Sequence, residues 1–227
     1  MELTYSIKRT LKRKRLTISV ERDRRVVVHA PEHLSEQRIE ELVEAKRQWI
    51  YEKVGHTQIF SELAHPPGKE LVNGESALYL GREYRIEMVG RDEEEIRFDH
   101  GFKIPLEMKG KSRQALRNWY ELKAKETILP RVKTFAKTLG VDYRLARITD
   151  NPYRWGSCTP KNNIHINWRL IKAPMFVVDY VIVHELAHLL EGNHTKWFWT
   201  IVDTQCSKME KAKVWLKEHG HLLEEEL

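Results

Sequence analysis

Residues 181–190 read Val-Ile-Val-His-Glu-Leu-Ala-His-Leu-Leu, which places His184, Glu185 and His188 in the spacing HExxH. On an α-helix, positions i and i+4 lie on one face about 5–6 Å apart, so both imidazoles can bind one metal ion. Glu185 lies about 100° around the helix and can reach a water molecule on that metal without being a ligand. Apolar residues flank the motif on every side. We therefore expect a buried helix whose polar side chains need a metal ion or hydrogen-bond partners.

The motif is specific enough to support a functional hypothesis. In a chain of 227 residues with 11 His and 26 Glu, roughly 0.06 random HExxH matches are expected. Requiring a further histidine ten positions after the first, as at His194, lowers this to roughly 0.003. The pattern predicts a zinc site in which Glu185 accepts a proton from a water whose pKa zinc lowers toward about 7. Two core histidines satisfied by hydrogen bonds alone are the structural alternative.

Four segments between residues 154 and 199 carry the strongest part of a wider pattern that covers most of the chain. They are His184–Trp199 (HELAHLLEGNHTKWFW), Arg154–Cys158 (RWGSC), Ile166–Leu170 (INWRL) and Asp179-Tyr180. Together they closely resemble the YgjP-like family of zinc metallopeptidases, which are relatives of the SprT-like and minigluzincin proteases; Ala30-Pro31 and Trp49-Ile50 are a weaker match. The resemblance implies a small zincin-type catalytic domain, with His184, His188 and His194 as zinc ligands and Glu185 as general base. It implies no particular substrate.

The third ligand is the point at which related patterns differ. The histidine spacing is that of the metzincins, HExxHxxGxxH, but Glu191 occupies the glycine position, so a metzincin assignment does not fit. Many gluzincins take a third, glutamate ligand from a second helix, which keeps Asp203 and Glu210 as rivals of His194. We favour His194, because Gly192-Asn193 can end the helix and turn the chain back toward the metal.

Several other residues are candidates for roles around the metal. Four side chains can donate to a developing oxyanion, namely Tyr153, Arg154, His165 and Tyr180. We favour Arg154 as a catalytic residue because it lies in the RWGSC segment. Cys158 can in principle bind zinc, but a buried, inert thiol is the simpler interpretation. Nearby aromatic residues are interpreted as core, and these are Trp155, Trp168, Trp197, Phe198 and Trp199.

Hydrophobic periodicity predicts an α+β fold with two parts. Residues 1–108 form an amino-terminal antiparallel β portion with one helix. Residues 109–227 form a helical domain with a small sheet, which the resemblance implies is a zincin-like, minigluzincin-type metallopeptidase domain. The first portion comprises a hairpin around a charged turn at 21–25, one helix from Ser35 to Gly55, a linker at 56–68, and strands near 77–80, 84–89 and 96–98. The second comprises a helix from Ser112 to Gly140 that Pro130 kinks or splits, strands at 144–149 and 164–170, and helices near 174–191, 197–206 and 207–219.

The net charge of +6 is confined to the amino-terminal segment. Residues 1–27 contain nine basic and three acidic side chains, whereas the rest of the chain has 30 of each. This segment is either a solvated hairpin or a surface that binds nucleic acid weakly through the basic residues 8–25. With no apolar leader, no membrane-length apolar run and only two cysteines, we expect a cytoplasmic protein without membrane contact. No oligomeric state is predicted.

Three functional hypotheses follow. The leading one is a zinc metallopeptidase acting on a peptide or protein. The alternatives are a zinc-dependent phosphoanhydride hydrolase acting on a nucleoside triphosphate such as UTP, and a nucleic-acid-associated SprT-like protein with zinc. The strand at 164–170 can pair with an extended substrate if it lies at the edge of its sheet, or it can be a central strand with both edges occupied.

Overall fold

The computed structural model describes residues 3–11, 13, 15–20, 25–54, 71–90, 95–108, 110–151 and 154–224, without the side chains of residues 52 and 53. Contacts divide the chain into two compact units, Met1–His65 and Pro66–Leu227. Several predicted features lie outside the described residues: Lys12, Lys14, most of the charged turn at 21–25, the helix end at Gly55, the linker at 56–68, and Tyr153. Among the described residues, no helix combines the length and apolarity needed to cross a membrane.

The first unit contains a three-stranded sheet and two short helices. Its elements are β1 (Tyr5–Thr10), β2 (Thr17–Val20), β3 (Val26–Pro31), α1 (Glu36–Glu44) and α2 (Arg47–Val54). The strand order is β1-β3-β2, with β2 antiparallel to β3 and β1 parallel to it. Ser35, where the helix is predicted to begin, caps α1, because its hydroxyl accepts a hydrogen bond from the Arg38 N–H at 3.3 Å. The single predicted helix is two helices, since the Lys46 N–H donates to Val43 and interrupts the i→i−4 pattern.

The second unit begins with a four-stranded sheet. Its strands are β4 (Ser76–Tyr79), β5 (Arg82–Val89), β6 (Arg97–Phe98) and β7 (Phe102–Pro105), in the order β4-β5-β7-β6. The next helix, α3 (Ser112–Leu139), shares one core with this sheet, in which the rings of Phe102 and Trp119 form a T-shaped pair with centroids 5.1 Å apart. The domain boundary between residues 108 and 109 stays a prediction. The two compact units divide after residue 65, and residues of the 71–108 range share a core with the helical part.

Helix α3 is the longest element of the described chain, at 28 residues. Pro130 lies inside it without ending it, and the helix ends at Gly140 in the left-handed conformation (φ 67°), as glycine allows. It begins at Ser112, as predicted, and its cap position is Lys111. Arg131 on α3 donates two hydrogen bonds, of 2.6 and 2.7 Å, to the carboxylate of Asp179 on the motif helix. This bidentate ion pair joins the two helices.

A second small sheet and three helices complete the unit. The elements are β8 (Leu145–Thr149), β9 (Gly156–Cys158), β10 (Asn163–Asn167), a 3-10 helix (Trp168–Lys172), α4 (Met175–Ala187), α5 (Lys196–Gln205) and α6 (Met209–Glu224). The predicted α+β class is confirmed. Strand β10 is central, parallel to β8 and antiparallel to β9. The hypothesis that a substrate pairs with the strand at 164–170 is therefore wrong, because protein strands occupy both edges of this strand.

Candidate metal centre

The HExxH motif lies at the carboxyl end of α4, the most deeply buried helix of the unit. Val177, Val178, Ile182, Val183 and Leu186 have no exposed surface. The apolar residues that flank the motif thus anchor the helix in the core, and His188 is the C-cap that directly follows the last helical residue, Ala187. A loop then leads to α5, whose first turn is capped by Thr195, since its hydroxyl accepts from the Phe198 N–H at 3.3 Å.

Three histidines converge at this helix end. The potential ligand atoms of His184, His188 and His194 all lie within 4.8 Å of one another. Nε2 of His194 is 3.1 Å from Nε2 of His184. Two ligands bound tetrahedrally at the usual Zn–N length of 2.0–2.1 Å are about 3.3 Å apart, so this spacing suits a shared zinc ion. Nδ1 of His188 lies 3.2 Å from the carbonyl oxygen of Glu191, which leaves Nε2 for a metal.

The two rival ligands lie elsewhere. Among the described residues, the only group of at least three His, Cys, Asp or Glu side chains close enough to share a metal consists of the three histidines. Glu210 forms an ion pair of 2.8 Å with Lys213, and Asp203 is exposed on α5. The geometry therefore favours His194 over Asp203 and Glu210 as a third ligand.

The charge state of the histidines fits metal binding. Burial, together with the neighbouring His188, His194 and Lys213, lowers the pKa of His184 to about 3. Burial also lowers the pKa of His188. Both imidazoles are thus neutral at pH 7 and keep a lone pair for a metal ion.

Glu185 lies beside the histidines and is 7% exposed. Burial raises the pKa of its carboxyl to about 7, while a hydrogen bond from the backbone N–H of Cys158 and the charge of Arg154 act in the opposite direction. The carboxyl also touches the backbone of β9, since a Cβ atom placed on Gly156 would lie 2.6 Å from Cγ of Glu185. Only glycine leaves this space open.

Two contributions to the site were missed by the sequence reasoning. Gly156 was used only as part of the RWGSC resemblance, and Cys158 was considered only through its thiol. Here Cys158 acts through its backbone N–H, and burial raises the pKa of the thiol. No pattern in a single sequence indicates that Gly156 and the N–H of Cys158 contact the Glu185 carboxyl group.

An aromatic wall supports the three imidazoles. The ring of Phe198 is buried, and its centroid lies 4.9, 4.6 and 4.7 Å from those of His184, His188 and His194. Trp199 stacks on His194 at 5.5 Å. The interpretation of the aromatic residues as core is therefore right for Phe198. It is wrong for Trp197, which is 62% exposed because it points away from the core side of α5.

The oxyanion candidates are spread around the site. The ring of Tyr180 is 5.9 Å from that of His184, and burial raises the pKa of its hydroxyl to about 12. Arg154 is exposed, and its charge acts on both Glu185 and His165. His165 lies on the central strand β10. The ring of Tyr180 therefore borders the metal centre, and Arg154 acts on it through the effect of its charge on Glu185.

Comparison with known proteins identifies the family. The model of the YgjP-like metallopeptidase domain matches residues 14–219. A search of curated proteins gave no match. One solved structure, the metallopeptidase zymogen abylysin from Pyrococcus abyssi, is 18% identical over 40% of this chain and 94% of its own, with a TM-score of 0.35. The match over residues 14–219 shows that this chain belongs to the YgjP-like metallopeptidase domain family.

Proposed function

We propose that the protein is a zinc-dependent metallopeptidase in which His184, His188 and His194 hold the metal and Glu185 is the general base. The observation that supports this proposal is the convergence of three imidazoles next to one buried carboxyl group. Three protein ligands are typical of catalytic zinc sites, which keep one position open, whereas structural sites usually have four. When bound, zinc would polarise the scissile carbonyl and make water a stronger nucleophile.

Glu185 handles the proton in this proposal. Its carboxylate accepts a proton from the attacking water and passes it to the leaving amine. The backbone N–H of Cys158 holds the carboxylate in place, and burial keeps its affinity for a proton high. A carboxyl group whose pKa lies near neutrality can both accept and release a proton during one turnover.

Arg154 is proposed to stabilise the oxyanion. Its guanidinium is free to move toward a bound carbonyl, because it forms no ion pair within the described ranges. A cation that moves next to the developing negative charge stabilises it and so lowers the barrier. Tyr180, whose hydroxyl stays protonated at neutral pH, is the rival donor.

The peptide would lie along β9 rather than β10. Hydrogen bonds from Thr159 to Asn163 (3.0 Å) and from Asn167 to Trp155 (2.8 Å) bracket the β9–β10 pair. In an antiparallel pair, every second residue directs its N–H and C=O groups away from the partner strand. The N–H and C=O groups of Gly156 and Cys158 therefore point away from β10. The N–H of Cys158 already donates to Glu185. The remaining groups on this edge suit an extended peptide beside the metal.

The deciding experiment offers zinc-loaded protein a peptide library and a panel of nucleoside triphosphates that includes UTP. We expect turnover of peptides only. The control variant Glu185→Gln should retain zinc and lose turnover, because an amide cannot accept the proton. Turnover confined to the nucleotides would contradict a peptidase, and a near-normal rate in Glu185→Gln would contradict the assigned base.

A further inference from the structure

A second concave site lies on the other face of the sheet that borders the metal centre. It is a cleft of about 280 Å³ whose wall includes Arg147, Arg154, Gly156, Ser157 and His165. We call it the outer cleft. Gly156 belongs to both places, because it lines the outer cleft and also touches Glu185.

The strand register explains why these side chains meet. His165 on β10 is paired with Ser157 on β9 and with Arg147 on β8. Side chains at paired positions of neighbouring strands point to the same face, so the three form a row across the sheet. Ile164 and Ile166, which alternate with His165, are fully buried on the opposite face. The row therefore faces away from the core.

The outer cleft carries an excess of positive charge. In the part of the chain that the structure describes, neither Arg147 nor Arg154 has an ion-pair partner. The one carboxylate in its wall, Asp150, is already bound by Arg117 at 2.5 Å and by Arg169. Two guanidiniums without partners in one concave surface match a carboxylate ligand.

His165 lies in the same cleft wall as Arg147 and Arg154 and is affected by both charges. Its pKa is lowered by burial and by the positive charges of both Arg147 and Arg154. The imidazole is therefore neutral at pH 7 and adds a hydrogen-bonding group, not a third charge, between two arginines.

We propose that the outer cleft binds an acidic side chain of the peptide substrate and makes the enzyme prefer Asp or Glu near the cleaved bond. This inference rests on the metallopeptidase function proposed above. An extended peptide paired with β9 presents alternate side chains to the two faces of the sheet. One set faces α4 and the metal centre, and the next faces the outer cleft beside Ser157, where Arg147 supplies a guanidinium that the proposed catalysis does not use.

The test uses the zinc-loaded full-length protein and a library of random decapeptides, with mass spectrometry to identify the residues around each cleaved bond. We expect Asp and Glu to be enriched about twofold to fivefold at one position within two residues of that bond, the range for a partly exposed ion pair. The variant Arg147→Glu should replace this preference with one for Lys and Arg, with unchanged zinc content and unchanged cleavage of neutral peptides.

The variant Arg144→Glu is the matched control, because Arg144 is also exposed and lies just before β8 but is not part of the cleft wall. It should keep the acidic preference. Peptide cleavage without an acidic preference, or a preference that survives Arg147→Glu, overturns the inference and leaves the peptidase function intact. No cleavage of any peptide overturns both. Hydrolysis of UTP that is lost in Arg147→Glu would assign the cleft to phosphate and also overturn the inference.

Discussion

A Cβ atom on Gly156 would lie 2.7 Å from Oε1 of Glu185, closer than real Cβ contacts allow. The edge strand and the proposed base are thus in direct contact. Any side chain at Gly156 has to move either the carboxyl group or the strand. The position of the base therefore depends on the absence of a side chain on a different element.

Gly156→Ala should lower kcat by about 100-fold, because a displacement of about 1 Å in a catalytic group has effects of this size. Zinc content should not change, since no proposed ligand is touched. Gly192→Ala is the matched control: a Cβ there meets nothing within 4 Å. Steady-state kinetics of both variants decide the matter, and a normal kcat for Gly156→Ala would show that the contact does not position the base.

His194→Ala should weaken zinc affinity strongly, because it removes one of three imidazoles that lie within 4.8 Å of one another. Asp203→Ala and Glu210→Ala should retain wild-type affinity. Titration with a competing chelator measures all three. Unchanged affinity in the His194 variant, with loss in either of the others, would mean that the third ligand comes from α5 or α6.

Arg154→Gln should lower kcat by about 10²–10³-fold with little change in KM, as is typical when one oxyanion donor is removed. Tyr180→Phe, which keeps the ring beside His184 and removes the hydroxyl, should have a much smaller effect. Measuring kcat and KM of both variants on one neutral peptide distinguishes the roles of the two residues. The reverse order of effects would make Tyr180 the donor.

Asp150→Asn should lower the free energy of unfolding by about 1 kcal/mol at pH 7, a modest value because the carboxylate is 37% exposed. Although burial acts in the opposite direction, hydrogen bonds from Arg169 and Trp168 and the charges of Arg169 and Arg117 lower the pKa of Asp150. A lowered folded-state pKa contributes stability above the unfolded-state value near 3.8, and this stability is lost as the pH falls through the folded value. Denaturant unfolding should therefore show the two proteins converging below pH 3.8; an unchanged difference would refute the ionic role.

Replacing the run Lys12-Arg13-Lys14-Arg15 with serines should weaken any nucleic-acid binding and flatten its salt dependence, while zinc content stays the same. Each phosphate contact contributes a slope of about −0.7 to −0.9 in log K against log salt. Fluorescence anisotropy with single- and double-stranded DNA and RNA measures this slope. If the wild type does not bind even at low salt, the segment is only a solvated surface.

The local elements were largely predictable, because they depend on short-range periodicity and capping. The motif helix, the cap at Ser35 and the helix end at Gly140 follow from side-chain spacing and glycine conformation. Neighbours within a sheet were not predictable. Strand β10 shows an alternation that suits an edge strand and a half-buried central strand equally well, and only the long-range pairing with β8 and β9 decides between them.

The candidate site divides in the same way. The two histidines of HExxH are neighbours on one helix, so their proximity needed no tertiary information. The approach of His194 depends on a loop, and the contact between Gly156 and Glu185 joins residues 29 positions apart in sequence. Such contacts arise from tertiary packing, which no local pattern encodes.

The loop that carries His194 is held at both ends, by the contact between His188 and the Glu191 carbonyl and by the Thr195 cap on α5. Ordering a free backbone costs about 1–2 kcal/mol per residue in conformational entropy. In this loop, most of that conformational entropy is already lost when the protein folds. His194, the proposed third ligand, would thus reach a metal ion without first having to be ordered, and binding energy would not be spent on arranging the loop.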